Sequence, residues 1–292
     1  MTVRVVSDVE YSRAARFSIM QRTTTFSPLA SATVPRVQRT GAETAYWALR
    51  IGAAMCFIGH GAFGFITKAA WLPYFGVVGV PASVAWKLMP LIGAVDVTAG
   101  MAVLFAPRAL PLVYMSIWSA WTAFLRPLAG ESGFEAIERA GNYGVPLAML
   151  LMTAVPISVR SINKRLDGPH THPRSLEVVI RVLTWTTALL LFGHGALGAL
   201  THKATLATHY AAIGLPSGIE PYIGWFEIAL AVVVLLRPAV GLLLFVAAWK
   251  IATESLFVVA GAPVWELVKR GGSYAAPLAL AALMRERRDG GS

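Results

Sequence analysis

Two histidines sit in matching surroundings, in Gly59-His60-Gly61-Ala62-Phe63-Gly64 and in Gly193-His194-Gly195-Ala196-Leu197-Gly198. Each lies in a long apolar stretch, and the next apolar stretch carries one acid, Asp96 in the first case and Glu227 in the second. An imidazole donating to a carboxylate either locks two segments together or makes a tuned pair for proton transfer or ligation. Both readings stay open on these residues. Trp118 with Thr122, and Trp249 with Thr253, stand four residues apart, one helical turn. Tyr143 and Tyr274 open later apolar stretches. Lys250 and Glu254 replace Ser119 and Ala123 of the first half, so the second half could gather four ionisable groups. The candidates for chemistry are therefore His194, Glu227, Lys250 and Glu254, with His60 and Asp96. The candidates for holding a cofactor are Trp118, Thr122, Trp249, Thr253, Tyr143 and Tyr274. If one half keeps a working site, the richer second half is expected to be the one.

The elements that position these residues follow from composition. The 292 residues are 56% hydrophobic and 14% charged, with a mean hydropathy of +0.62, against about 25% charged in a soluble chain. Eight apolar blocks lie near the roughly 20 residues that cross a bilayer as a helix. They cover 44–66, 88–106, 109–125, 142–159, 177–200, 220–236, 238–260 and 271–285. Helices are required because open sheet edges do not exist in lipid and the blocks show no strand-like alternation. The expected fold is an all-α integral membrane protein.

The net charge of +10 is placed as a membrane protein places it, which argues against a nucleic-acid partner. Arg4, Arg13, Arg16, Arg22, Arg36 and Arg39 precede the first block. Arg160, Lys164, Arg165 and Arg174 lie in the central connector, and Arg285, Arg287 and Arg288 close the chain. The opposite loops are diluted by Glu131, Glu135, Glu138 and Glu266. This bias puts both termini in the cytoplasm, in a plasma (inner) membrane. A single cysteine, Cys56, excludes an intramolecular disulfide and a cysteine-built metal cluster. Residues 1–43, rich in Ser, Thr and Arg, read as a disordered cytoplasmic tail without the apolar core of a cleaved signal. His170 and His172 in the connector read as solvated loop residues, and no metal site is expected.

The halves are related in sequence. From Leu91 to Leu150 the second half aligns at a constant shift without gaps, with roughly 30% of positions identical. Pro107 matches Pro238, Trp118 matches Trp249, and Glu135, Arg139, Gly141 and Tyr143 match Glu266, Arg270, Gly272 and Tyr274. Four helices per unit is an even number, so the second copy enters the membrane in the orientation of the first. The expected organisation is a tail over 1–43, four-helix repeats over 44–159 and 177–288, and a connector over 160–176. Eight transmembrane helices thus form two parallel four-helix repeats.

Each half resembles the DoxX/DoxD-like family of four-helix membrane proteins. The first span ends in a small-residue turn followed by Lys68 or Lys203. A loop with Gly79-Val80-Pro81 or Gly214-Leu215-Pro216 comes next, then a span with one acid in Leu91-Ile92-Gly93-Ala94-Val95-Asp96 or Tyr222-Ile223-Gly224-Trp225-Phe226-Glu227. The chain departs from that pattern in being a tandem pair and in carrying a histidine in the first span of each copy. The resemblance implies membrane-associated redox work with a quinone.

Depth sharpens the expectation. His60 and Asp96 each fall about two turns from the same surface of the membrane, as do His194 and Glu227. Ionisable groups near a helix centre cost about 2.5–3.5 kcal/mol each on insertion scales, so the four groups of the second half are expected to pair. The Glu135–Arg139 and Glu266–Arg270 spacings predict i,i+4 salt bridges that orient the last helix of each half. The preferred functional expectation is a redox-associated subunit with a quinone or other lipophilic ligand in the outer half of the bilayer and a redox partner protein. A bis-histidine haem between His60 and His194 extends that reading. A small-solute or proton-coupled transporter and a non-catalytic scaffold are the rivals.

Overall fold

Each apolar block becomes helix in the computed structural model, which describes residues 40–153, 161–166, 168–170 and 172–289. The basic tail therefore lies outside the described residues, arginines 4 to 39 included, and so does Arg160. The exception is its last stretch, where Thr40 caps a helix that already begins at Gly41. Thr40 Oγ1 accepts from the Glu43 backbone, and the Glu43 carboxylate accepts from Thr40, a reciprocal cap that satisfies two otherwise orphaned donors.

Twelve α-helices occur among the described residues: α1 (Gly41–Ile66), α2 (Leu72–Val77), α3 (Ala82–Phe105), α4 (Ala109–Leu128), α5 (Phe134–Glu138), α6 (Ala140–Met152), α7 (Pro173–Ala199), α8 (Ala204–Ala211), α9 (Glu220–Leu236), α10 (Val240–Val259), α11 (Trp265–Val268) and α12 (Gly271–Asp289). Four of them, α1, α3, α7 and α10, are long and apolar enough to cross a membrane. Of the other four blocks expected to span, α4 carries Arg126 in its last turn, α9 has 17 residues, and α12 ends in Arg287 and Arg288. The helix α6 has 13 residues, about 20 Å of rise, and its block runs on past the described residues. Large apolar side chains face outward, from Leu91 and Phe105 to Leu236 at 81% exposure. Exposed apolar surface of that extent needs a lipid solvent. The chain is a helical, multi-pass membrane protein.

The described residues from Thr40 to Asp289 belong to one compact unit. The helices α1, α6, α7 and α12 make the centre, with α3 against α1, α4 against α6, α9 against α7 and α10 against α12. The core is built from Leu49, Met115, Met149, Leu183, Leu191, Leu243 and the alanines of α12.

Backbone contact at glycine sets these helix crossings. A Cβ on Gly61 would lie 2.6 Å from the Gly93 carbonyl oxygen, and one on Gly195 would lie 2.5 Å from that of Gly224. The glycines flanking His60 and His194 thus seat α3 on α1 and α9 on α7. At the centre α6 and α12 meet at Gly141 and Gly272, where a Cβ on Gly272 would sit 2.4 Å from the Gly141 carbonyl. Small residues that let backbones approach are what associates helices in lipid. Gly272→Ala should therefore cost about 1–3 kcal/mol of overpacking and lower the melting temperature in detergent. Gly241→Ala, whose methyl meets nothing within 4 Å, should leave it unchanged or raise it slightly. Equal melting of both variants would show that the crossing is loose.

Candidate functional site

The four ionisable groups expected to meet in the second half do meet. His194 comes from α7, Glu227 from α9, and Lys250 with Glu254 from α10, and all four are buried. Glu227 accepts from the His194 Nδ1 and from the Trp249 Nε1 at 2.8 Å. The Lys250 ammonium lies 3.8 Å from Glu227 and 3.0 Å from Glu254. The latter contact is off hydrogen-bond alignment, so it holds as an ion pair. Arg270 reaches Glu254 at 2.6 Å. Each carboxylate therefore faces at least one cation or donor, which is the condition for keeping it charged at this depth.

The first half is built differently. His60 and Asp96 do not hydrogen-bond each other, contrary to the matched pair expected. The His60 Nδ1 contacts the Cys56 carbonyl at 2.8 Å on its own helix, and Asp96 accepts from the Tyr114 hydroxyl at 2.8 Å. Two differences account for this. Asp96 is one methylene shorter than Glu227, and Tyr114 offers a hydroxyl where the second half has Phe245.

Between His60 and Asp96 the space stays open, as a cavity of about 150 Å³ lined by both. Phe57, Trp71, Tyr74, Trp118 and Trp121 give it aromatic wall, and Arg126, Arg139 and Lys269 line it as well. Trp71 stacks on the His60 imidazole, ring centres 6.5 Å apart. The helix α3 packs along α1 and barely touches α4, and two of the lining residues, Trp121 and Val78, are exposed. This cavity is lined chiefly by first-half residues, whereas the expectation favoured the second half for a working site.

The other cofactor candidates divide accordingly. Trp118 and Thr122 line the cavity, although the Thr122 hydroxyl donates to the Trp118 carbonyl at 3.0 Å. Thr253 does the same to Trp249 at 3.1 Å, within the second cluster. Tyr143 and Tyr274 stand apart from the cavity. Their hydroxyls donate to Ala136 and Leu267, pinning α5 onto α6 and α11 onto α12.

A layer of ion pairs closes both sites, and each is closed from the other half. The i,i+4 pairs Glu135–Arg139 and Glu266–Arg270 form at 2.7 and 2.6 Å. Glu135 also holds Lys203, and Glu266 holds Lys68 at 2.6 Å, so each acid crosses to the opposite half. The Lys269 backbone lies against Gly59, beside His60, and the Glu138 backbone lies against Gly193, beside His194. Burial alone would raise the Glu266 carboxyl, but Lys269 and Arg270 outweigh it and hold the group well below its usual range.

Lys269, Glu138 and Asn142 are site residues that motif reading missed. Glu138 and Lys269 occupy matching positions of the two halves with opposite charge, and that reversal was the available signal. His170 and His172 are exposed in the connector, and among the described residues no group of three metal-ligating side chains comes together.

Compared with known proteins, the chain matches no family model, no characterised protein and no solved structure.

The second-half cluster makes a direct prediction. Glu227→Gln and Lys250→Met each leave buried charges uncompensated, a loss of about 3–5 kcal/mol. The double variant should cost less than the sum of the two. Unfolding of the four proteins in detergent measures both, and strictly additive losses would show that the groups do not interact.

Proposed function

We propose that the chain is a redox-associated membrane subunit whose first-half cavity takes a quinone or a similar lipophilic ring. The observation that carries this reading is the cavity itself, lined by His60 and Asp96 and by the rings of Phe57, Trp71, Tyr74, Trp118 and Trp121. On this reading a lipid-soluble ring enters from the bilayer and stacks on the indoles. Reducing a quinone to a hydroquinone takes two electrons and two protons. On this reading His60 and Asp96 exchange the protons, and the electrons come from a partner protein or a soluble reductant. The chain carries no Gly-rich nucleotide motif of its own.

The same reading treats the chain as a tandem DoxX-like protein with eight spans in two parallel repeats. Several contacts recur at matching positions and support it: Gly61 with Gly93 as Gly195 with Gly224, and Glu135 with Lys203 as Glu266 with Lys68. Gly141 against Gly272 would then mark the axis relating the halves. A cysteine at Ser132, on a Cys56→Ala background, should be labelled by an impermeant reagent from outside the cell. Labelling only from the cytoplasm would refute the topology.

The ligand reading is tested on the purified protein. A short-tailed quinone should quench the tryptophan fluorescence of the cavity. His60→Gln and Asp96→Asn should each weaken binding of the reduced, hydroquinone form about tenfold, the loss of one good anchor, with melting unchanged. A wild-type protein that shows no quench would refute it, and acid-dependent solute flux in proteoliposomes would then select the transporter instead.

A further inference from the structure

In the second half a side chain already occupies the kind of place that is open in the first. Lys250 stands on α10 where Ser119 stands on α4, the two being 250 − 119 = 131 residues apart, and Ser119 lines the cavity. Asp96 and Glu227 correspond at the same shift, and so do Ala123 and Glu254. Lys250 is only 1% exposed, and its ammonium sits between the carboxylates of Glu227 and Glu254. In the second half, then, the acid of the site is met by a tethered cation.

We propose that Lys250 is the built-in occupant of a second ligand site, and that the ligand of the open site presents a hydrogen-bond donor to Asp96 as Lys250 presents its ammonium to Glu227. The inference rests on the cavity being a site for a ring ligand, and it narrows that ligand to a hydroxylated aromatic, a phenol or hydroquinone. Tyr114 already donates to the Oδ1 of Asp96 at 2.8 Å, itself a phenol hydroxyl on this carboxylate. The second carboxylate oxygen is left to accept from the ligand. A carboxylate accepts only from a donor, so an aromatic whose hydroxyls are blocked loses that anchor while keeping its ring. The chain then holds one open site, in the first half, and one self-occupied site, in the second.

The experiment is equilibrium dialysis of the purified full chain in detergent with a short-tailed alkyl hydroquinone, kept reduced, and with its dimethyl ether. The wild type should take up one equivalent of the hydroquinone and bind the ether at least about tenfold more weakly, as expected when a hydrogen bond to a charged group is lost. The variant S119K/A123E installs the tethered cation in the first half and should bind nothing while melting like the wild type. If the wild type binds neither compound, the cavity is no ring site, and both this inference and the proposed function fall. If the wild type binds but the ether binds as tightly, only this inference falls. It falls alone as well if S119K/A123E still binds. The ether comparison needs no variant, so it decides even if a substitution prevents folding.

Discussion

Burial of charge is the constraint from which most of this architecture follows. A carboxylate or ammonium taken out of water costs several kcal/mol even after relaxation, and its partner restores that only when geometry is good. The chain buries Glu227, Lys250 and Glu254 almost completely, so each must be reached by a group on another element. His194 comes from α7, Trp249 from α10 and Arg270 from the junction of α11 and α12. Remove that requirement and little beyond the ring contacts of Phe226 with Phe245 and Trp249 fixes α10 in register against α9, because the two helices barely touch. The ion pairs supply the specificity that apolar packing in lipid does not.

The same constraint explains why the halves interlock. The short helices α5 and α11 carry Glu135, Glu138 and Glu266 toward the opposite half, where Lys203 and Lys68 wait at the ends of α7 and α1. The backbone behind these acids packs directly on Gly59 and Gly193. A side chain at either glycine would push the short helix away and strip the acids from their partners. The glycines beside the histidines are thus conditions for the charge layer as much as for helix packing, and they tie the two sites together mechanically.

Much of this can be read in the sequence, for reasons that also mark where reading stops. Helices are legible because length and hydropathy are local, and every expected block is helical where it is described. The cluster of His194, Glu227, Lys250 and Glu254 is legible because depth along a helix follows from position, and the cost of isolation forces equal-depth charges together. The first-half pair was not legible. His60 and Asp96 have the right depths, but one methylene and the Tyr114 hydroxyl decide the bond, and such details lie below the resolution of spacing. Nor could the cavity be located, because a cavity is a deficit of side-chain volume summed over several helices. Lys269 was missed for another reason: it serves the half of the chain to which it does not belong.

The two sites differ in one physical respect that bears on function. In the second, every ionisable group faces a partner from the chain itself, and the cluster approaches electrical closure without a ligand. In the first, Asp96 has one phenol donor and the imidazole of His60 bonds only along its own helix. A closed cluster rigidifies, since moving any member breaks several ion pairs at once. An open one can exchange partners at low cost, which is what binding and proton transfer require. Lys250 and Glu254 add to the second half the charges that complete its cluster, while the first half keeps Ser119 and Ala123 and the space that goes with them. The crossed contacts of Glu135 with Lys203 and of Glu266 with Lys68 join the halves across this difference.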